Sequence, residues 1–291
     1  MTAHTKAKKK SGWFLKLIIF LVCGICMFFA AKTLLELRSG EHSDWLPGGG
    51  EIVATPAAFG TGDDEVSKAI AALAREDSRV LAVADNMDAF PEPLLKLLVK
   101  NSEAREFVLD YPRNQNNDRV ESLNENEVGG EIPLLLQWDA RWGYVQYGSC
   151  VLGVTGCGPT CLSMVLAGLS GDRDKSPAAV AAFSEKNGYY VDGSGSSWAL
   201  MTAGAEKLGL SATEVPLWEE SMIAELEAGH PIIANLGKGD FTDEGHFIVI
   251  RGYENGMFLV NDPNSPKRSA EGWYFKTLEP QIRNLWAYSL A

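Results

Sequence analysis

The sequence of 291 residues predicts an α+β domain that follows a membrane-spanning helix and a small helical module. Residues 13–31 form an almost unbroken apolar run, and between Asp63 and about Tyr111 the apolar residues recur at helical spacing. From Ile132 onward, short helical patterns alternate with runs of β-branched residues. Strands that pair antiparallel and pack with a helix that precedes them in the sequence form an α+β fold.

The apolar run predicts a transmembrane signal-anchor helix over residues 13–35. Only Lys16 and Gly24 interrupt the stretch from Trp13 to Ala31, which is about the length that a helix needs to cross ~30 Å of hydrocarbon. Lysines precede it, so we expect residues 1–12 to be a cytoplasmic basic tail and the rest to lie outside the cell membrane. A cleavable signal peptide has the same charged start and apolar core and stays open as an alternative.

Composition and charge restrict the partners. The chain is 46% hydrophobic and 22% charged, which is typical of a globular protein and not of a disordered one. The net charge is -12 although the first 40 residues are basic, so the remainder is strongly acidic. An acidic body repels phosphate, and we therefore expect no nucleic-acid partner.

Two segments precede the α+β domain. Residues 40–62 are rich in glycine, with Gly48–Gly50 between two prolines, and predict a flexible tether. Residues 63–112 predict a helical module of about three helices, in which Pro91 and Pro93 suit the first turn of the middle one. The polar stretch 113–118 ends the module. The apolar positions of the three helices are Val66, Ile70 and Leu73, then Leu94, Leu95, Leu97, Leu98 and Val99, then Phe107, Val108 and Leu109.

The α+β domain is predicted over residues 131–291. We expect helices over 159–169, 199–207 and 219–226. We expect strands over 232–235, 246–253 and 257–261, the last two joined in a hairpin by Glu254-Asn255-Gly256.

Cys157 is the candidate nucleophile. The sequence Gly156-Cys157-Gly158-Pro159 predicts a helix that begins beside the thiol, because proline is favoured in the first turn. The free N–H groups of a helix N-terminus lower the pKa of a thiol placed there. The plainer interpretation is that Cys157 is a small buried apolar residue. Cys161, one turn further along the same helix, is expected to be core packing of this kind. Zinc bound by Cys150, Cys157, Cys161 and His246 fits no common spacing.

His246 and Asp262 are the candidate partners of Cys157. His246 begins a strand, and the other three histidines lie in the tail, the tether and a loop. A three-residue turn makes the numbers of paired residues sum to 510, which places Asp262 diagonal to His246 on the same sheet face. A two-residue turn changes the sum to 511 and favours Asn261 instead, and both interpretations stay open.

These residues resemble one family. The segments Ile132-Pro133-Leu134-Leu135-Leu136-Gln137, Gly156-Cys157-Gly158-Pro159, Gly245-His246-Phe247-Ile248-Val249-Ile250 and Asn261-Asp262-Pro263 are similar, in this order, to the C-39-like cysteine peptidases. This resemblance implies a papain-like fold over residues 131–291. Residues 86–112, followed by residues 137–144, also resemble membrane-attached members from Gram-positive bacteria. The resemblance to the family implies a glutamine that donates to the oxyanion, carried by the motif to Gln137, with Gln146 as the rival because it lies nearer to Cys157.

The sequence therefore predicts an extracytoplasmic, membrane-anchored cysteine peptidase with a Cys157–His246–Asp262 triad, Gln137 at the oxyanion and no cofactor or metal. Its expected partner is a peptide or protein substrate. A peptidoglycan amidase or endopeptidase, an inactive peptide-binding domain, and a partner-binding role of the helical module are the alternatives. The Gly193–Trp198 segment has no phosphate-loop lysine and predicts either a turn that caps the next helix or a rim of the substrate cleft.

Overall fold

The computed structural model describes residues 63–116 and 121–291. The predicted basic tail, transmembrane helix and tether lie outside the described residues. Among the helices of the described part of the chain, none is both long enough and apolar enough to cross a membrane.

Residues 63–114 are helical, and their apolar positions are buried largely as the helical spacing predicts. Ile70, Leu94 and Val108 are fully buried, whereas Leu73 and Leu97 are half-buried. The helices are α1 (Asp63–Glu76), α2 (Leu81–Ala84), α3 (Glu92–Lys100), α4 (Arg105–Leu109) and α5 (Tyr111–Asn114). Short 3-10 turns join them at Ser78–Val80, Met87–Ala89 and Ser102–Ala104.

The helical module shares its core with the segment that leads to Cys157. Tyr144, Cys150 and Val151 are buried in the same apolar cluster as the module's helices. The ring of Phe107 stacks on that of Tyr144 with centroids 4.4 Å apart, and the Tyr144 hydroxyl donates to the Phe107 carbonyl at 3.0 Å. Module and domain are therefore packed together by side chains of both.

A six-stranded antiparallel sheet forms the centre of the domain, in the order β5-β10-β6-β7-β8-β9. Its strands are β5 (Leu210–Glu214), β6 (Ile232–Leu236), β7 (His246–Glu254), β8 (Met257–Asn261), β9 (Gly272–Trp273) and β10 (Ile282–Leu290). Two short hairpins lie outside it: β1 (Gln146–Tyr147) with β2 (Cys150–Val151), and β3 (Tyr190–Val191) with β4 (Gly195–Ser196).

Helices cover both faces of the sheet. One face of β7, with Phe247 and Val249, shares a core with the long helix α7. The other face, with Ile248 and Ile250, packs with Met222 of α10. The helices are α6 (Leu152–Thr155), α7 (Cys157–Ser170), α8 (Pro177–Lys186), α9 (Ala203–Lys207), α10 (Glu219–Glu227), α11 (Pro266–Ser269) and α12 (Phe275–Leu278). The mixed α/β architecture is confirmed, with the predicted helix over 199–207 divided into a 3-10 turn (Trp198–Leu200) and α9.

The β7–β8 hairpin corrects the predicted turn. Glu254 pairs with Met257, so the loop has two residues, Asn255 and Gly256, both with positive φ (52° and 80°). This is the backbone that a type I′ turn requires, and Asn-Gly is its favoured sequence. The three-residue turn was therefore wrong. Near the turn the paired numbers sum to 511.

Further along the hairpin, a β-bulge shifts the pairing to the register in which the numbers of paired residues sum to 510. The pairing shifts between Ile250 and Gly252, so that Ile250 pairs with Val260 and Val249 with Asn261. One extra residue in one strand moves all later pairs by one position. At the end of the hairpin that carries His246, the numbers of paired residues therefore sum to 510, as expected. The cause is the bulge and not the expected three-residue turn.

Candidate active site

Cys157 is the first residue of α7, and its thiol is half-buried. Gly156 precedes the helix with φ −94° and accepts the N–H of Thr160 at 3.0 Å. Residue 158, which follows Cys157, must be a glycine or nearly as small, because a Cβ at Gly158 would lie 2.6 Å from the Ser196 hydroxyl oxygen. The neighbouring hairpin thus packs directly against the start of the nucleophile's helix.

His246 is the first residue of β7 and is 6% exposed. Its Nε2 lies 2.8 Å from Asp262 Oδ1. Because a carboxylate only accepts, Nε2 carries the proton and Nδ1 is the nitrogen left for another partner. The side chain of Cys157 interacts with this imidazole, since each of the two groups shifts the pKa of the other.

Asp262 directly follows β8, has no solvent exposure and is surrounded by donors. Oδ1 also accepts the N–H of Asn264 at 2.8 Å, and Oδ2 accepts Arg268 Nε at 2.5 Å. The Asp262 N–H donates to the Ser269 hydroxyl at 2.8 Å. The carboxylate is therefore held by the turn and the short helix α11 that follow it.

The three side chains shift one another's pKa values. Burial raises the pKa of Cys157, but the hydrogen bond and charge of His246 and the N–H groups of Phe247 and Gly158 lower it below 9.0 overall. Burial lowers the pKa of His246, and the charge and hydrogen bond of Asp262 outweigh it and raise the pKa to about 10. The pKa of Asp262 is lowered, because His246 and Arg268 outweigh burial. The directions of these shifts favour a thiolate–imidazolium pair next to the carboxylate.

The other two described cysteines lack this environment. Cys161 is fully buried one turn along α7, and burial raises its pKa well above 9.0, assisted by the negative charges of Cys157 and Asp262. Burial also raises the pKa of Cys150, which lies in the core of the helical module. Both are free thiols. Their environments match the prediction that Cys161 is core packing.

Asn261, the rival to Asp262, bonds away from His246. Its Nδ2 donates to the carbonyls of Ile132 and Pro133 at 3.0 Å each, and its Oδ1 accepts Arg251 Nε at 3.0 Å. The bulge in β7 is what leaves Asp262 rather than Asn261 beside the imidazole. Asn261 instead fixes the segment that leads to Gln137.

Gln137 and Gln146 lie in different surroundings. Gln137 is buried, and its Nε2 donates to the carbonyls of Gly153 and Val154 at 2.9 and 3.2 Å, in the turn before Cys157. Its Oε1 has no hydrogen-bond partner among the described residues. Gln146 is exposed and donates to Gly148 within its own hairpin at 2.7 Å. Gln137 therefore touches the nucleophile's turn and Gln146 does not.

A family model, described as the Peptidase_C39 like family, matches residues 130–288, which is more than half of the chain.

The chain belongs to the Peptidase_C39 like family.

The predicted resemblance to this family is thereby confirmed. Two solved structures are similar to the chain. The peptidase domain of Streptococcus ComA, a bi-functional ABC transporter involved in a quorum-sensing pathway, is 17% identical, with 47% of this chain and 93% of that chain covered and a TM-score of 0.33. A putative C39-like peptidase from Bacillus anthracis is 14% identical, with 60% and 99% covered and a TM-score of 0.32. No curated protein matches the sequence.

In this C39-like domain, the Gly193–Trp198 segment contributes both a helix cap and a wall near Cys157. The Ser197 hydroxyl accepts the N–H of Ala199 and so caps the next 3-10 turn, as predicted. Ser196 is buried beside Gly158, and its hydroxyl hydrogen-bonds to that of Tyr147 at 2.8 Å. Trp198 is 49% exposed, with its ring edge-on to Trp286.

A cavity of about 320 Å³ is lined by residues that neighbour the three side chains in the sequence, although not by the three residues themselves. It reaches Gly245, next to His246, and Val154, in the turn before Cys157. Leu97 and Lys100 of α3 line it as well, and so does Arg268. The helical module therefore forms part of the wall of this cavity.

Arg268 contacts Asp262 directly, but no motif in the sequence predicts this contact. Ser265-Pro266 is a signal for a short helix, because serine is a favoured N-cap and proline a favoured first residue. That signal locates α11. It does not indicate that Arg268 on this helix reaches the carboxylate.

Proposed function

We propose that the chain is a cysteine peptidase in which Cys157 is the nucleophile, His246 the general base and acid, and Asp262 the residue that orients the imidazole. The 2.8 Å contact between His246 Nε2 and Asp262, together with the interaction of Cys157 with the same imidazole, carries this proposal. The nucleophile, base and orienting acid of a thiol hydrolase need this order of contacts.

The chemistry follows from the proton positions. The Cys157 thiolate attacks the carbonyl carbon of the scissile amide, and the resulting oxyanion collapses as the C–N bond breaks. His246 gives its Nδ1 proton to the leaving amine, which departs and leaves a thioester on Cys157. His246 then takes a proton from water, the hydroxide attacks the thioester, and the carboxylic acid product leaves as the thiol is restored.

Asp262 supports both states of the imidazole. It keeps the proton on Nε2, so that Nδ1 faces the thiol, and it stabilises the imidazolium while the thiolate is present. We assign the oxyanion donors to the N–H groups at the start of α7 and to the side chain of Gln137. Its Nε2 lies against the turn before Cys157 and would exchange its 3.2 Å bond to the Val154 carbonyl for one to the oxyanion.

We also propose that the peptidase domain lies outside the cell membrane, anchored by residues 13–35, and that it acts on peptides or proteins there. The apolar run of 19 residues from 13 to 31 and the lysines that precede it support this orientation. Protease added to intact cells would be expected to digest the domain and to spare the first 12 residues. Protection of the domain until the cells are lysed would contradict the orientation.

Peptide cleavage by the full-length chain in detergent tests the activity. A complex peptide mixture and purified cell-wall stem peptides are incubated with the wild type, and new termini are identified by mass spectrometry. Cys157→Ala is expected to abolish cleavage, whereas Cys161→Ala, which removes a buried thiol one turn along the same helix, is expected to retain it. Cleavage only of stem peptides identifies a peptidoglycan endopeptidase. Binding of peptides without cleavage, equal in wild type and Cys157→Ala, contradicts the proposal and favours a binding domain.

A further inference from the structure

The helical module contacts both segments that carry the partners of Cys157. Lys100, the last residue of α3, lies with its Nζ 2.8 Å from Asp243 Oδ2, in the loop before His246. Both side chains are well exposed, so this ion pair contributes little. The contacts to the segment after Asp262 are more numerous and less exposed.

Asn101 and Glu103, in the turn after α3, bind that second segment. Asn101 Nδ2 donates to the carbonyl of Asn264 at 2.8 Å and to its Oδ1 at 3.0 Å. Glu103 accepts the Ser265 hydroxyl with one carboxylate oxygen and the N–H of Lys267 with the other, the latter at 2.9 Å. Bonds to an ionised acceptor are roughly twice as strong as neutral ones.

The segment held in this way is the one that fixes Asp262. The N–H of Asn264 and Nε of Arg268 donate to the two carboxylate oxygens of Asp262. Ser265 caps α11, the short helix on which Arg268 lies. Two routes of consecutive contacts therefore run from the module to the carboxylate: Asn101 through Asn264, and Glu103 through α11 and Arg268.

A carboxylate that orients an imidazole must itself be held within a fraction of an ångström, since small displacements cost large factors in rate. Asp262 follows the last residue of β8, so strand pairing does not fix it. The hydrogen bonds from residues 264–269 fix it instead. The helical module in turn holds residues 264–267 through the hydrogen bonds of Asn101 and Glu103.

We propose that Asn101 and Glu103 of the helical module are positioning residues that hold residues 264–268 and thereby orient Asp262 and His246. The module is then a working part of the active site rather than a separate partner-binding unit. This inference rests on the proposed function, because it assigns the residues a role in the same reaction.

Four variants of the full-length chain in detergent test the inference. Glu103→Ala removes both acceptors, and Glu103→Gln retains an acceptor for the N–H of Lys267. Asn101→Asp retains the oxygen that accepts the Glu103 N–H at 3.0 Å and loses the donor to Asn264. Glu106→Ala is the matched control, because it removes an exposed carboxylate of the same module whose only side-chain partner among the described residues is Arg79.

Three quantities are measured: kcat and KM for a cleaved peptide, the pH dependence of Cys157 alkylation by iodoacetamide, and the titration of His246 by NMR of ¹³C-labelled histidine. The chain has only four histidines, which makes the assignment practical. Circular dichroism and the thermal midpoint show that each variant is folded.

Glu103→Ala is expected to lower kcat about tenfold while KM stays within about twofold. The pKa of His246 falls, and half-maximal alkylation of Cys157 moves to higher pH. Asn101→Asp has the same direction of effect, Glu103→Gln recovers most of the loss, and Glu106→Ala matches the wild type. A purely structural contact would lower the thermal midpoint without moving the His246 titration.

Two failures are distinguishable. If wild-type Cys157 is alkylated no faster than Cys161, the proposed function fails, and the His246 titration in Glu103→Ala still decides the positioning role. If wild-type Cys157 is activated but folded Glu103→Ala and Asn101→Asp keep wild-type kcat and an unchanged His246 titration, the positioning inference is overturned while the peptidase proposal stands.

Discussion

Replacing Asp262 by asparagine removes the negative charge from the centre of the site with almost no change of shape. The asparagine oxygen can still accept from His246 and Asn264, but its amide then points a donor at the Nε–H of Arg268. The variant therefore removes the charge that favours the imidazolium and leaves the guanidinium without its acceptor.

The size of the effect follows from the bonds lost. A hydrogen bond to a charged group contributes about 1.5–3 kcal/mol. If that stabilisation is lost from the imidazolium, which must be present to hold the thiolate and to protonate the leaving group, kcat falls about 10- to 150-fold at 1.36 kcal/mol per tenfold. Arg268 is partly exposed and can turn to water, so we expect the free energy of unfolding to fall by only about 1–3 kcal/mol.

Initial rates over a range of peptide concentrations give kcat and KM, and chemical denaturation gives the stability. Asp174→Asn is the matched control, because Asp174 is an exposed carboxylate that accepts only the Ser122 hydroxyl among side chains. It is expected to match the wild type in both measurements. A folded Asp262→Asn protein with kcat within about twofold of wild type would refute the orienting role of the carboxylate.

Three further predictions test other parts of the site. The rate of hydrolysis has a bell-shaped pH dependence, which rises as the Cys157 thiol ionises below pH 9.0 and falls as His246 loses its proton near pH 10; a rate that only begins to rise above pH 9.0 would contradict the ion pair. Gln137→Ala lowers kcat by about 100-fold or more if its amide serves the oxyanion, and a kcat within about threefold of wild type, measured on folded protein, would assign it to structure alone. Gly158→Ala lowers the free energy of unfolding by about 1–3 kcal/mol, because the new methyl group meets Ser196, and denaturation curves that coincide with wild type would show that the hairpin moves freely.

The sequence predicted the two strands that carry His246 and lead to Asp262. It also predicted that Asp262 lies beside His246, but the three-residue turn on which that prediction depended did not form. The limits of β8 are as predicted, and β7 extends one residue further. Asn-Gly is the strongest short signal for a two-residue turn, and that turn formed instead of the expected three-residue one. The bulge after Ile250 then compensated by one position. A bulge depends on how three neighbouring strands pack, and local sequence does not encode it.

Three strands of the sheet, β5, β9 and β10, were not predicted from the sequence. β10 lies between β5 and β6 and is covered on both faces, so Leu285, Trp286, Ala287 and Tyr288 are all buried and show no alternation. A strand without a period of two cannot be told from a buried helix by pattern alone. β5 is short and contains small polar residues, which carry little strand signal.

The surroundings of Asp262 show most clearly where sequence reasoning ends. The helical spacing of apolar residues predicted the module, and the hairpin register predicted Asp262, but Asn101 and Asn264 are 163 positions apart in the chain. Contacts at that separation depend on the whole tertiary arrangement. The support of the carboxylate by Arg268 and by the module could therefore be seen only in the structure.

The rate of iodoacetamide alkylation of each cysteine as a function of pH, in wild type and in His246→Ala, tests the central claim most directly. It requires no substrate, and mass spectrometry resolves Cys157, Cys150 and Cys161. The thiolate–imidazolium pair predicts that Cys157 alone reacts rapidly at a pH well below 9.0, and that His246→Ala removes this advantage. Alkylation of Cys157 as slow as that of Cys161, or unchanged in His246→Ala, would contradict it.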